Sequence, residues 1–130
     1  MKGYIANIET ATVENEDFRR VLYTGHNAQL VLMSIPAGRE IGQEVHQLDQ
    51  FLRVEVGEGK AIMDGAETVI SAGFAILVPA GAQHNVVNTG SEPMKLYTVY
   101  APPAHQDGVV RATKEEAETQ EEHFDGTTTE

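Results

Sequence analysis

Between residues 19 and 100 the apolar positions recur with a period of two, in short runs separated by turn-forming residues. In the run Gln50-Phe51-Leu52-Arg53-Val54-Glu55-Val56, Leu52, Val54 and Val56 are apolar while Arg53 and Glu55 are charged. That is the signature of a strand with one buried face, and Gln50 shares the parity of the buried set. The same reading predicts eight strands, over 20–23, 30–35, 50–56, 61–63, 68–70, 75–78, 85–88 and 94–100. In the last of these, Lys95 points outward, which turns Met94, Leu96, Thr98 and Tyr100 inward. Breaks fall at Pro36-Ala37-Gly38, Gly57-Glu58-Gly59, Ser71-Ala72-Gly73, Pro79-Ala80-Gly81 and Thr89-Gly90-Ser91. Asp64-Gly65 is the two-residue signal of a type I′ hairpin. Short strands at this spacing make an all-β barrel or sandwich, and no apolar period of 3.6 before residue 110 supplies the crossover helices of a parallel sheet.

Composition narrows the picture. A chain of 130 residues is one domain with one core. Without cysteine it has no disulfide, no thiolate metal site and no cysteine nucleophile, so any metal must be held by nitrogen and oxygen. The net charge of −11, with no stripe of Lys or Arg, argues against nucleic acid or an anionic membrane as partner. No run approaches a membrane span, and the opening residues Met1 to Asn7 lack the apolar centre of a secretory signal, so a cytoplasmic location is expected. The acidity gathers in residues 111–130, which hold seven acidic and two basic side chains. This divides the chain into a β-barrel domain over 1–110 and an acidic, partly helical tail over 111–130. Thr113 and Glu116 suit a capping box at the start of a helix over 114–122. With only Ala112, Ala117 and Phe124 as apolar groups, the tail is expected to be solvated and dispensable for any site in the barrel.

Two segments stand out chemically. Residues i and i+2 of a strand share a face, so Glu44 and His46 project together, about 6–7 Å apart along the backbone. Gln50 follows on an inward face, and His84 opens another strand after the Pro79-Ala80-Gly81 turn. Closure of a small barrel would bring Glu44, His46, Gln50 and His84 together. A buried carboxylate without a cationic partner is costly, and no Lys or Arg lies on the inward faces assigned above; a divalent ion would remove that cost. The alternative is a pair of hydrogen-bonded core histidines. His26, His105 and His123 fall in polar turns or the tail and read as surface residues. Leu52, Val54, Val86, Leu96 and Tyr100 are the expected pocket walls.

The punctuation around these residues resembles the cupins. Gly38, Glu44, His46, Gln50 and Gly57 follow G-x5-E-x-H-x3-Q-x6-G, similar to the first cupin motif in Gly38, His46 and Gly57. Gly73, Pro79, Gly81, His84 and Asn88 match the second motif at every defined position. The resemblance covers about residues 28–102 and is to small single-domain bacterial cupins. It implies a double-stranded β-helix, or jelly roll, that binds a divalent metal. His46 and His84 fall on ligand positions with the family's residue type; Glu44 stands where histidine is usual, and Gln50 where glutamate is usual. Two imidazoles, one carboxylate and a neutral oxygen suit Mn(II), Fe(II) or Zn(II). Such a site implies a metalloenzyme acting on a small oxygenated metabolite, by dioxygen activation or by Lewis-acid polarisation. The alternative is a non-catalytic barrel that binds a small molecule or serves in assembly. A further strand over 18–23, outside both motifs, would cover a barrel edge by two-fold pairing, so a homodimer is expected.

Overall fold

A computed structural model describes residues 1–130. A short helix comes first, α1 (Ile8–Glu14), followed by β1 (Arg19–Thr24), β2 (Gln29–Ile35), β3 (Glu44–Val45), β4 (Asp49–Val56), β5 (Glu58–Met63) and β6 (Ala66–Ser71). Then come β7 (Ala75–Val78), β8 (Gln83–Asn88), β9 (Met94–Ala101), β10 (Val110–Arg111) and α2 (Lys114–Thr119). The strands form two antiparallel sheets, a six-stranded one in the order β10-β1-β2-β9-β4-β7 and a four-stranded one in the order β3-β8-β5-β6. The chain is thus mostly β, folded as a double-stranded β-helix with small helices at its ends. No helix is long and apolar enough to cross a membrane.

The alternation read along β4 and β9 sets the core. Gln50, Leu52 and Val54 are buried, as are Met94, Leu96, Thr98 and Tyr100, and they meet Val31, Met33 and Ile35 of β2 between the sheets. The hairpin between β5 and β6 turns at Asp64 (φ 48°) and Gly65 (φ 84°), the two left-handed residues of a type I′ turn.

Differences from the sequence reading have local causes. The strand over 61–63 starts earlier because Gly59, read as a break, pairs with both Ile70 and Asn88. Glycine is required there by contact: a Cβ on Gly59 would lie 2.0 Å from the Val87 carbonyl oxygen. Helix α1 carries no apolar stripe and escaped notice. It is capped by Asn7, whose side chain accepts from the Thr10 amide at 3.1 Å, and it packs across β2, β4 and β9 over the sheet face turned from the core.

The tail differs most. Helix α2 forms where expected, with the Thr113 hydroxyl accepting from the Glu116 amide at 3.1 Å. It ends sooner, however, and although most of its residues are exposed, the tail is docked on the barrel rather than free of it. Ala117 joins the core cluster, Phe124 N–H donates to the Ala104 carbonyl, and Thr129 N–H donates to the Thr24 carbonyl. The Glu130 carboxylate accepts from the amides of Lys2 and Gly3 at 2.8 Å and from the Tyr23 hydroxyl at 2.6 Å. A poverty of apolar groups misled the reading, because polar contacts hold this segment, many of them to barrel residues.

Candidate metal centre

Register brings the first two residues together. In the β3–β8 pair Glu44 lies directly opposite His84, and His46 follows Glu44 two residues on. One ligand atom from each of Glu44, His46 and His84 falls within 4.8 Å of the other two. His84 is buried, and its Nδ1 lies 3.1 Å from the Ala82 carbonyl oxygen. That carbonyl can only accept, so Nδ1 donates to it, and the tautomer this selects has its lone pair on Nε2.

His46 Nε2 lies 2.6 Å from Glu44 Oε2. The contact lacks hydrogen-bond alignment, and the ring nitrogen remains a buried atom without a partner. Burial raises the Glu44 pKa, but contact with the His46 ring and the charges of His46, Arg19 and His84 outweigh it, and the carboxyl ends below its ordinary range. A carboxylate oxygen and two imidazole nitrogens converging at this distance, one of them orphaned, fit a common cation better than they fit one another.

Gln50 is buried on β4. Its Nε2 donates to Thr98 Oγ1 at 3.0 Å, while its Oε1 has no partner. Its amide oxygen is thus an unused acceptor. Tyr100 pairs with Gln50 across β4 and β9 and meets His46 edge to face, with ring centroids 5.9 Å apart. Its burial pushes the phenol pKa up, so the hydroxyl keeps its proton.

Glu44 and His46 open into a cavity of about 680 Å³. Leu52, Val54, Val86 and Leu96 are sealed in the core; the apolar part of the cavity wall comes from Phe18, Ile41, Leu48 and Phe124 among others. The charged part was not foreseen. Arg19, His105 and Glu122 line the cavity, whereas the sequence predicts no inward cation and a surface position for His105, which is buried. Arg19 shares the parity of buried Val21 on β1, and that was the signal available in the sequence.

These residues form a buried ionic group. The Glu122 side chain is 4% exposed, and it lies 3.1 Å from Arg111 Nη2, 3.0 Å from His105 Nδ1 and 3.8 Å from Arg19 Nη1. Burial, then the charges of Arg19, His46, His123 and Arg111, push the His105 pKa down to about 3. His105 is therefore neutral and donates from Nδ1 to Glu122. Its backbone is held by Gln29, whose side chain accepts from the Ala104 and His105 amides and donates to the His105 carbonyl. His26 and His123 are exposed.

Comparison with known proteins agrees with this architecture. The family described as Cupin domain matches residues 31–100. An uncharacterized protein of Bacillus subtilis, YrkC, is 45% identical over 123 residues, covering 89% of this chain and 66% of that protein. An uncharacterized mimivirus protein, L612, is 35% identical over 112 residues, covering 82% of this chain and 70% of the other. The crystal structure of BH2720 from Bacillus halodurans superposes with a TM-score of 0.90 at 46% identity, covering 92% of this chain and 96% of that one.

Proposed function

We propose that this chain, which belongs to the cupin family, is a metal-dependent cupin in which Glu44, His46 and His84 hold one divalent ion and Gln50 serves as a weak fourth donor or orienting group. The observation that carries this reading is the convergence of the three ligand atoms around the unpartnered His46 Nε2. Two imidazoles, one carboxylate and an amide oxygen suit Mn(II), Fe(II) or Zn(II), and leave room for a substrate oxygen.

The reaction class we assign is metalloenzyme chemistry on a small oxygenated metabolite that enters the cavity beside Glu44 and His46. When bound, the ion would supply Lewis-acid polarisation of a substrate oxygen or, as Fe(II), dioxygen activation. The chain's own residues do the rest. Glu44 contributes the negative charge, Ala82 fixes the tautomer of His84, and the core residues behind Gln50 exclude water from that side. Pairing into a homodimer and residence in the cytoplasm complete the reading.

Metal analysis of protein purified without chelators, followed by calorimetric titration of Mn(II), Fe(II) and Zn(II), tests it. One ion per chain, lost in Glu44→Gln and His46→Ala, is the expected result. Parent protein that neither carries nor takes up metal would leave a non-catalytic binding barrel as the function.

A further inference from the structure

Arg19 lies against the Phe18 ring and the Tyr100 hydroxyl, with no carboxylate hydrogen-bonded to it. Its side chain is 11% exposed, it lines the cavity that Glu44 and His46 open into, and its Nε is buried without a partner. The nearest carboxylate oxygen, on Glu122, is 3.8 Å away, beyond hydrogen-bond reach. That carboxylate is already engaged elsewhere: Arg111 donates to one of its oxygens at 3.1 Å and His105 to the other at 3.0 Å. Arginine is rarely withdrawn from water unless an anion pairs with it, and its planar fork suits a carboxylate.

The charge balance of the site points the same way. Beneath the rim, Arg19 and Arg111 stand against Glu44 and Glu122, and the four charges cancel. A divalent ion on Glu44, His46 and His84 then adds two positive charges with no protein anion to offset them. Lys114, Glu118 and Glu121 are the other charged residues on the cavity wall; Lys114 lies 3.9 Å from Glu118, and the two acids are exposed, so water and salt screen them. They slow the approach of an anion more than they weaken one already seated.

From this we infer that the cavity takes a small organic carboxylate, and that Arg19 is the residue that selects it, seating the carboxylate on its guanidinium while another oxygen of the same molecule reaches the ion. The inference rests on the metal reading above and adds the substrate class to it. Phosphorylated ligands are less suited, because one free guanidinium beside four acidic side chains on the wall is a poor match for a dianion.

The test titrates lactate, and separately lactamide, its uncharged amide, into Zn(II)-loaded protein by calorimetry, in the parent, Arg19→Gln and Arg19→Lys. The parent should prefer lactate by about tenfold or more, the scale of one charge-assisted pair. Arg19→Gln should erase that preference with Zn(II) affinity unchanged, and Arg19→Lys should keep part of it, because a point charge replaces the fork. Equal binding of lactate and lactamide by the parent, no lactate binding at tens of millimolar, or a preference that survives Arg19→Gln with Zn(II) still bound would each overturn the assignment of Arg19. Failure of the parent to take up Zn(II) is a separate readout, and it would overturn the metal reading together with what rests on it.

Discussion

His105 Nδ1 donates to the Glu122 carboxylate across 3.0 Å, joining the loop after β9 to the acidic tail. With Arg111 on the same carboxylate and Arg19 3.8 Å from it, the tail becomes part of the cavity wall. Removing one member of a buried ionic group costs more than the group is worth in net stability, because the charges left behind stay desolvated.

Glu122→Gln should therefore destabilise the protein by about 3 kcal/mol, read as a shift of the urea midpoint at constant slope. Deleting residues 112–130 should cost more, since Ala117 and the contacts of Phe124 and Thr129 go with it. A truncated protein as stable as the parent would mean that the tail only rests on the barrel.

Acid should weaken the fold through His105. An unfolded imidazole titrates near ~6.5, whereas burial and neighbouring charges push the folded one down to about 3. Between those values the unfolded chain binds a proton that the folded chain does not, so stability falls as pH falls. The loss approaches ~1.4 kcal/mol per pH unit across that window. Denaturant melts from pH 7.5 to 4.5 should show a shallower dependence in His105→Gln; an unchanged slope would assign the sensitivity to another group.

Gln29 is nearly as isolated from water as the core, and its amide is fully used. It donates to Thr24 Oγ1 at 2.9 Å and the His105 carbonyl at 2.8 Å, and accepts from the amides of Ala104 at 3.1 Å and His105 at 3.0 Å. Gln29→Leu keeps the volume and orphans these partners, at a cost of about 3 kcal/mol. Hydrogen exchange should quicken first at Ala104 and His105. Faster exchange spread evenly over the sheets would instead indicate general loosening.

At the metal centre, Glu44→Gln should lower metal affinity far more than Gln50→Ala. Glu44 is the only formal anion among the proposed ligands, whereas Gln50 offers an amide dipole that water can replace. Gln50→Glu should tighten binding. Calorimetry with Mn(II) or Zn(II) on metal-free protein decides it, and Glu44→Gln binding as tightly as the parent would remove Glu44 from the ligand set.

Much of the barrel and the heart of the site are legible in residue order because both depend on short-range rules. Period-two alternation selects the inward residues of β4 and β9 in any antiparallel sheet, and Asp64-Gly65 dictates its own turn. Glu44 and His46 share a face for the same reason, and motif spacing places His84 at a strand start. The registration of Glu44 against His84 is then one consequence of how β3 meets β8.

What residue order left open was settled by contacts between segments far apart in the chain. Arg19, His105, Arg111 and Glu122 come from β1, a loop, β10 and the tail, and no local pattern joins them. A tail of acidic residues looks solvated when it is weighed by apolar content, since burying a charge is unfavourable on its own. Only the folded arrangement brings Arg111 and His105 to Glu122 and leaves Arg19 without an anion of its own, and charge burial depends on the partner found in space rather than on the neighbour in sequence.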